Sequence, residues 1–135
     1  MKNSTITYYT DKTVDAHQII ELFDNAGLKR PTRDEQRIKL MVERGNLMVT
    51  AWDGDLLVGA ARSLTDFVWC CYLSDLAVRE NYKKQGIGKK LIDLTRKAVT
   101  EQSVLLLLSV STALEYYPKV GLEKVQNGFI INRKF

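Results

Sequence analysis

Two closely spaced glycines among lysines form the segment of this sequence best suited to chemistry. Gly86 and Gly88 lie in a polar, cationic stretch, residues 79–90, between a predicted strand and a predicted helix. The start of a helix presents unpaired backbone N–H groups and the positive end of the helix dipole, and glycine lets an anion approach the backbone closely. The pattern predicts a phosphate-binding loop, with an ordinary solvated turn as the alternative that these residues alone leave open. Four lysines add charge around the same point: Lys83, Lys84, Lys89 and Lys90.

This loop does not match two common nucleotide-binding patterns. The segment Gly86-Ile87-Gly88 lacks the third glycine of the dinucleotide fingerprint, and no acidic residue occupies the ribose position after another strand. The segment also lacks the Gly-Lys-Ser/Thr ending of a P-loop. These differences argue against both kinds of nucleotide site.

Two polar residues interrupt the long apolar strand that precedes the loop. Ser74 and Asp75 lie within residues 67–78, which are otherwise mostly apolar and are predicted to be buried in a sheet. A buried polar group costs free energy unless it has a hydrogen-bonding partner. Ser74 and Asp75 therefore indicate that this part of the strand has a role other than packing in the hydrophobic core.

Two motifs, in this order along the chain, resemble the GNAT N-acetyltransferase superfamily. Residues 73–78 running into residues 82–92 are similar to its acetyl-CoA motif, whose core is Gln or Arg, two residues, Gly, one residue, then Gly or Ala. Residues 113–122, Ala-Leu-Glu-Tyr-Tyr-Pro-Lys-Val-Gly-Leu, resemble its other signature, Ala-x-x-Phe-Tyr-x-x-x-Gly-Phe. Lys83 stands where the first motif has Gln or Arg, which keeps a charge but not the guanidinium fork. The resemblance covers nearly the whole chain.

The resemblance implies a coenzyme A site along the strand and the loop. In this family the strand carries a β-bulge and splays from its parallel neighbour. We expect the bulge at Ser74 and Asp75, because a bulge leaves one residue unpaired and redirects its neighbours. An N–H near Leu76 is expected to polarise the thioester carbonyl. The residues expected to bind the cofactor are Leu76, Ala77, Val78, Lys83, Lys84, Gln85, Gly86, Ile87, Gly88 and Lys89.

The resemblance also implies two candidate catalytic residues. The hydroxyl of Tyr117, with an ordinary pKa near 10, is protonated at neutral pH and can give a proton to a departing thiolate; packing beside Tyr116 is the alternative. Asp75 either takes the proton of the attacking amine or holds the bulge by accepting backbone hydrogen bonds. Pro118 biases the residue before it away from helical geometry, which bears on where the Tyr117 hydroxyl lies. The lack of a Cys or Ser nucleophile beside a base fits direct transfer without a covalent intermediate.

The acceptor site that the resemblance implies is built by the first two predicted helices, their connection and the last strands. Residues 25–37 are expected to line it. Their cations either face the acceptor or are ordinary solvated surface. A weaker resemblance, in residues 22–28, 58–62 and 65–66, is to the branch with plant and cyanobacterial arylalkylamine acetyltransferases, and it names no substrate. The four cations of the connection are Lys29, Arg30, Arg33 and Arg37.

The elements that must position these residues are predicted in the order βααβββαβαββ, an α/β (α+β) domain with one mixed sheet splayed at the bulge. Helix starts are predicted at Thr13 and at the capping box of Thr32 and Glu35. Asp53 and Gly54 favour a tight hairpin turn. Residues 1–135 are expected to form a single N-acetyltransferase domain. Strands are predicted at residues 4–10, 47–52, 56–63, 67–78, 104–110, 122–125 and 129–133.

The composition of the chain narrows the classes of protein and of partner that remain possible. The chain has 135 residues, 45% of them hydrophobic and 27% charged, as expected of one compact domain. The net charge of +4 suits a phosphate-bearing small molecule as well as nucleic acid, and no recognised nucleic-acid motif is present, so no nucleic-acid partner is expected. Cys70 and Cys71 are sequence neighbours without a nearby Cys/His cluster, so no disulfide framework or metal site is expected. Without a signal-peptide core or an apolar run of about 18 residues, we expect a cytoplasmic protein with no membrane partner.

These observations lead to one predicted function and one alternative. The predicted function is acetyl-CoA-dependent transfer of an acetyl group to a primary amine of a small molecule or protein. The expected partners are a coenzyme A thioester and an amine acceptor, with a homodimer through the terminal strands as a further expectation. The alternative is a non-catalytic acyl-CoA-binding or sensing module.

Overall fold

A mixed five-stranded sheet forms the centre of the protein, as seen in a computed structural model that describes residues 5–135. Its strands lie side by side in chain order; neighbours from β1 to β4 are antiparallel, whereas β4 and β5 are parallel. This architecture confirms the predicted fold class. The predicted start of the first strand at Ser4 lies outside the described residues. The strands are β1 (Thr7–Tyr9), β2 (Leu47–Asp53), β3 (Leu56–Thr65), β4 (Cys70–Val78) and β5 (Val104–Leu106).

Helices cover both faces of this sheet. One buried cluster joins Phe23 and Ile38 of the first two helices to Ala60 of β3, and a second joins Leu91 of the third helix to Ala61. Because successive strand residues point to opposite faces, neighbouring residues of β3 belong to different clusters. The helices are α1 (Ala16–Ala26), α2 (Glu35–Arg44), α3 (Ile87–Val99) and the short α4 (Tyr116–Lys119). Among the described residues, no helix has the length and apolar character that crossing a membrane requires.

Aspartates, rather than the predicted threonines, cap the first two helices. The carboxylate of Asp15 accepts a hydrogen bond from the backbone N–H of Gln18, and Asp34 accepts one from Arg37. The hydroxyl of Thr32 instead donates to Asp24. An aspartate at the cap position just before a helix also interacts favourably with the helix dipole, which is why a nearby Asp competes successfully with Thr.

A β-bulge at Ser74 changes which face the second half of β4 presents. Arg62 pairs with Asp75 and the next residue of β3 pairs with Leu73, so Ser74 is the extra residue, as predicted. Before the bulge, Leu73 packs in the α3 cluster; after it, Ala77 packs in the α1–α2 cluster. One inserted residue shifts the two-residue alternation by one position. Asp75 is thereby turned toward the side of α1 and α2.

The last two predicted strands do not form. The described residues contain no strand after β5, and the Phe129 and Ile131 side chains are each 99% exposed. The prediction paired these two segments across the turn residues Asn127 and Gly128, but apolar residues form a strand only where a neighbouring edge supplies hydrogen bonds and packing. Here β5 pairs with β4 over only three residues, Cys70 to Tyr72, and no described strand pairs with its other edge.

Candidate functional site

The divergence of β4 from the chain after β5 opens a cleft. Pairing between the two strands ends at Tyr72 and Leu106, whereas β4 continues to Val78. The cleft has a volume of about 710 Å³, within the range usual for small-molecule sites. In the described structure no strand pairs with this side of β4 beyond Tyr72, so backbone groups there are open to a ligand. The lining includes Leu76, Ala77, Val78, Lys83, Leu107, Leu108 and Tyr117.

Asp75 lies beneath the bulge between two guanidinium groups. Arg30 Nε donates to one carboxylate oxygen at 2.5 Å, and Arg62 Nε donates to the other. The same two arginines also bind Ser74, Arg30 through the backbone carbonyl at 2.9 Å and Arg62 through the hydroxyl at 3.2 Å. Asp75 is 1% exposed and is not among the residues that line the cleft. This geometry favours the alternative in which Asp75 holds the bulge, with arginine donors in place of backbone amides.

The glycine-containing loop leads into α3 as the sequence suggests. Gly86 has a left-handed conformation with a φ of 84°, which glycine adopts without a steric penalty. The first helical hydrogen bond runs from the N–H of Lys90 to the carbonyl of Gly86, so the N–H groups of Ile87, Gly88 and Lys89 have no acceptor within the helix. The Ile87 side chain is buried in the core. The loop therefore presents a cluster of free amides at a helix start.

The side chains of this loop divide between the cleft and solvent. Lys83 lines the cleft, where its Nζ donates to the Ala26 carbonyl at 2.9 Å and pairs with Glu80 at 2.8 Å. Lys89 pairs with Asp93 along the exposed side of α3. The remaining predicted side chains, Lys84 and Gln85, are exposed beside the loop.

Tyr117 lines the same cleft from the opposite wall. Its ring packs edge-to-face on Tyr116, with ring centroids 5.2 Å apart. No residue in the described part of the chain hydrogen-bonds its hydroxyl. Burial, together with the neighbouring Tyr116, raises the pKa of Tyr117 above 10. Pro118 lies in the first turn of α4, where a backbone N–H has no helical acceptor, and so it leaves Tyr117 in the cleft wall.

A contact between Tyr116 and Gly88 was not anticipated from the sequence. A Cβ atom at Gly88 would lie 2.9 Å from the Tyr116 hydroxyl oxygen, so α4 packs directly on the start of α3. In the resembling signature this position is Phe, which has no hydroxyl. Tyr116 differs from that pattern by its hydroxyl oxygen. This oxygen leaves no room for a side chain at position 88, and it was the one sign in the sequence of this contact.

The connection between α1 and α2 contributes only part of its positive charge to the cleft. Lys29 and Arg30 line the cleft. Arg37 instead donates to the backbone carbonyl of Phe135, and Arg33 is exposed to solvent. Of residues 25–37, which were expected to line the acceptor site, only residues 26–30 line this cleft.

A second cavity of about 940 Å³ lies along the other side of the segment after β5. Leu94 of α3 and Leu122 lie among its largely apolar lining, and Tyr117 borders both cavities. The volume is comparable to that of the cleft, and the lining includes four cations, Lys90, Arg96, Lys97 and Lys124, together with Asp93, Glu101 and Glu123. In contrast to the cleft, none of the described residues of β4 lines this cavity. The cleft beside the bulge is therefore the better candidate for chemistry. Within residues 5–135, no group of three or more His, Cys, Asp or Glu side chains is arranged to hold a metal ion.

Comparison with known proteins gives a consistent result. The family described as Acetyltransferase (GNAT) domain matches residues 11–132. A relative from Pyropia yezoensis, named uncharacterized N-acetyltransferase ycf52, is 23% identical over 128 residues, which cover 88% of this chain and 71% of the relative.

Solved structures share the fold. A GNAT family acetyltransferase from Streptococcus pneumoniae TIGR4 superposes with a TM-score of 0.77 at 22% identity, covering 96% of this chain and 100% of that one. An aminoglycoside N-acetyltransferase, AAC(6')-Iy, solved in complex with CoA, superposes with a TM-score of 0.75 at 10% identity, covering 99% and 98% of the two chains. At these identities the likeness concerns the arrangement of the chain.

Proposed function

Since the chain belongs to the GNAT acetyltransferase family, whose domain matches residues 11–132, we propose that its acetyl donor is acetyl-CoA and its acceptor a primary amine. The acceptor amine belongs to a small molecule or a protein. The observation that carries this proposal is the cleft between β4 and the chain after β5, with the bulge at one end and, at the other, Val78, which lies beside Gly88 and the free amides of α3. A solved structure of the same fold contains CoA, which supports the donor.

The cleft offers different chemistry to the two ends of the donor. Residues 76–78 line the cleft, and those of their backbone groups that point away from β3 have no strand partner in the described structure, so they suit the amide-containing arm of coenzyme A. The amides of Gly86 to Lys89 suit the pyrophosphate, because they combine free N–H groups with the positive end of a helix dipole. Lys83, Lys84 and Lys89 add charge, and Gln85 is available as a further donor.

Direct transfer requires two contributions from the chain. The amine nitrogen bonds to the thioester carbonyl carbon, and the carbon–sulfur bond breaks. A backbone N–H near Leu76 stabilises the negative oxygen of the tetrahedral intermediate. Tyr117 gives its proton to the departing sulfur, a role for which a raised pKa is suitable, since the hydroxyl remains protonated throughout the neutral range. The amine loses its proton to water.

Asp75 has a positioning role in this scheme. Its carboxylate is buried between Arg30 and Arg62 and does not line the cleft, so a proton would have no direct route to it from an amine there. By holding the bulge, Asp75 fixes the direction of the free amides that follow it. This assignment replaces the general-base alternative.

The test of the proposed function separates binding from turnover. Acetyl-CoA and coenzyme A should each raise the melting temperature, because a ligand that binds only the folded state stabilises it, whereas NAD should not. Release of free thiol is then followed with a broad panel of primary amines. Binding without thiol release from any amine would favour the non-catalytic acyl-CoA module, and the absence of any thermal shift would rule out both.

We also propose that a second copy of the chain covers the apolar surface beyond β5. Val104 and Leu108 are exposed at β5 and just after it, the tail residues Phe129 and Ile131 are exposed as well, and exposed apolar surface of this kind marks protein–protein contacts. The edge of β5 and the adjoining cavity of about 940 Å³ leave room for additional extended chain. A homodimer through the terminal segments would bury these side chains.

A further inference from the structure

The cleft has a one-sided charge. Three cationic side chains, Lys29, Arg30 and Lys83, line it, and the described lining contains no Asp, Glu or His. An amine acceptor is itself cationic until it loses a proton, so this charge distribution is opposite to that expected for a site selecting polycations. The charges therefore carry information about the acceptor, provided that the proposed function holds.

The three cations differ in how far they are neutralised. Lys83 pairs with Glu80 and is fastened to the carbonyl of Ala26. Arg30 shares the single carboxylate of Asp75 with Arg62, so this cluster keeps one net positive charge. The Lys29 ammonium has no hydrogen bond or ion pair with any residue that the structure describes. The uncompensated charge is thus concentrated at Lys29 and Arg30.

These two residues lie at the bulge end of the cleft. Residues 26–30 run along β4, with Ala26 in contact with Lys83 beside the helix start and Arg30 in contact with the Ser74 carbonyl at the bulge. The amides proposed for the pyrophosphate lie at the opposite end. The positive charge at Lys29 and Arg30 is therefore separate from the positive charge around the pyrophosphate and additional to it.

Arg30 also has unused donor capacity. Its Nη1 donates to the Lys29 carbonyl at 2.7 Å and its Nη2 to the Ser74 carbonyl at 2.9 Å. Each of these nitrogens carries two hydrogens, so one hydrogen on each remains available. Together with the Lys29 ammonium, they form a set of donors that suits a carboxylate or phosphate group.

We propose that the acceptor is a small amine that also carries an anionic group, a carboxylate or a phosphate, which binds at Lys29 and Arg30. This inference rests on the proposed function and specifies its substrate class. The same positive charge disfavours the protonated form of a nearby amine, which helps to supply the neutral nucleophile that direct transfer needs. Polyamines lack the anionic group and meet repulsion.

The test compares acceptors that differ only in the anionic group. Thiol release is measured for phenylalanine against 2-phenylethylamine, for O-phosphoethanolamine against ethanolamine, and for putrescine. We expect kcat/KM to be at least about tenfold higher for the anionic member of a pair. The first pair reports on carboxylate and the second on phosphate, so the two sources of negative charge are distinguished.

A charge-removing variant links the preference to the proposed residue. Lys29→Gln should remove most of this advantage by raising the KM of the anionic acceptor, with the KM of acetyl-CoA unchanged. Lys39→Gln, a matched change at an exposed lysine of α2, should leave both KM values unchanged. Because Lys29 is exposed and unpaired, its replacement is compatible with folding.

Different results would overturn the anionic-acceptor inference and the proposed acetyl transfer. Equal or better use of the uncharged amines or putrescine overturns this inference and leaves acetyl transfer intact. A Lys29→Gln variant whose only defect is weaker acetyl-CoA binding likewise overturns this inference and leaves acetyl transfer intact. Absence of thiol release from every amine overturns the proposed function, and this inference with it.

Discussion

Arg30 donates a hydrogen bond to the carboxylate of Asp75 at 2.5 Å and thereby fastens the connection between α1 and α2 to the bulge of β4. The two residues are 45 positions apart in the chain. The α1–α2 connection and β4, which both line the cleft, are thus held by one buried carboxylate. Stability and site geometry therefore depend on the same side chain.

Replacement of Asp75 by alanine should strongly destabilise the protein. Two guanidinium groups would be left without their shared carboxylate, and breaking a buried ion pair on one side costs about 3–5 kcal/mol of the free energy of unfolding. Urea denaturation measures the loss. Asp93→Ala, which removes an exposed partner of Lys89, is the matched control and should cost less than about 1 kcal/mol. Equal losses in the two variants would contradict the positioning role of Asp75.

Removal of the Tyr117 hydroxyl should slow turnover without affecting donor binding. In Tyr117→Phe the ring still packs on Tyr116, but no proton is available for the departing sulfur, so kcat should fall about 10²-fold or more. The thermal shift caused by acetyl-CoA should remain. Tyr9→Phe, on β1, is a control with the same chemical change. Unchanged kcat in Tyr117→Phe would mean that this tyrosine only packs.

The contact between Tyr116 and Gly88 predicts a rescue experiment. In Gly88→Ala the new methyl group would lie 2.9 Å from the Tyr116 hydroxyl oxygen, so the tyrosine must move away from the start of α3. We expect weaker coenzyme A binding in a titration, because the amides at that point are disturbed. Adding Tyr116→Phe removes the oxygen and should restore much of the affinity. Failure of the double variant to recover would show that the methyl group itself blocks the ligand.

The pH dependence of kcat/KM should follow the acceptor and not an enzyme base. The described residues lining the cleft include no His, Asp, Glu or Cys, so the rise in rate with pH should report deprotonation of the acceptor amine. Because the pKa of Tyr117 is raised above 10, the hydroxyl keeps its proton and the rate should not fall between about pH 7 and 9. Two acceptors with different amine pKa values should give correspondingly shifted profiles. An identical inflection for both would point to a titrating residue of the protein.

Charge placed on the exposed tail should reduce self-association. Sedimentation equilibrium should detect a dimer of the unaltered chain at micromolar concentrations, and Phe129→Asp should shift it toward monomer, because a charge would be buried in an apolar interface. Lys134→Gln serves as the control for a change in tail charge alone. A monomer at every concentration tested would contradict the proposed dimer.

Local patterns were sufficient to predict the order of elements as far as α4 and the features that depend on nearby residues. The loop at Gly86 leads into α3 as expected, and Gly54 has the positive φ, 60°, that the predicted tight turn favours. The family resemblance implied a bulge in this strand, and the polar pair Ser74 and Asp75 within otherwise apolar residues indicated where it lies. In each case the physical cause lies within a few residues of the feature.

Long-range partners were decided only by the tertiary structure. Asp75 was identified as unusual, but its partners lie 13 and 45 positions away, and a one-residue bulge determines which of the two faces it reaches. The split of the cations, with Lys29 and Arg30 in the cleft and Arg33 in solvent, also depends on how the connection packs on β4. The tail at Phe129 is apolar and follows the turn residues Asn127 and Gly128 without forming a strand, since pairing requires an edge that no nearby residue supplies. Spacing along the chain specifies backbone conformation, whereas the ionic partners of a buried side chain are specified by packing between distant elements.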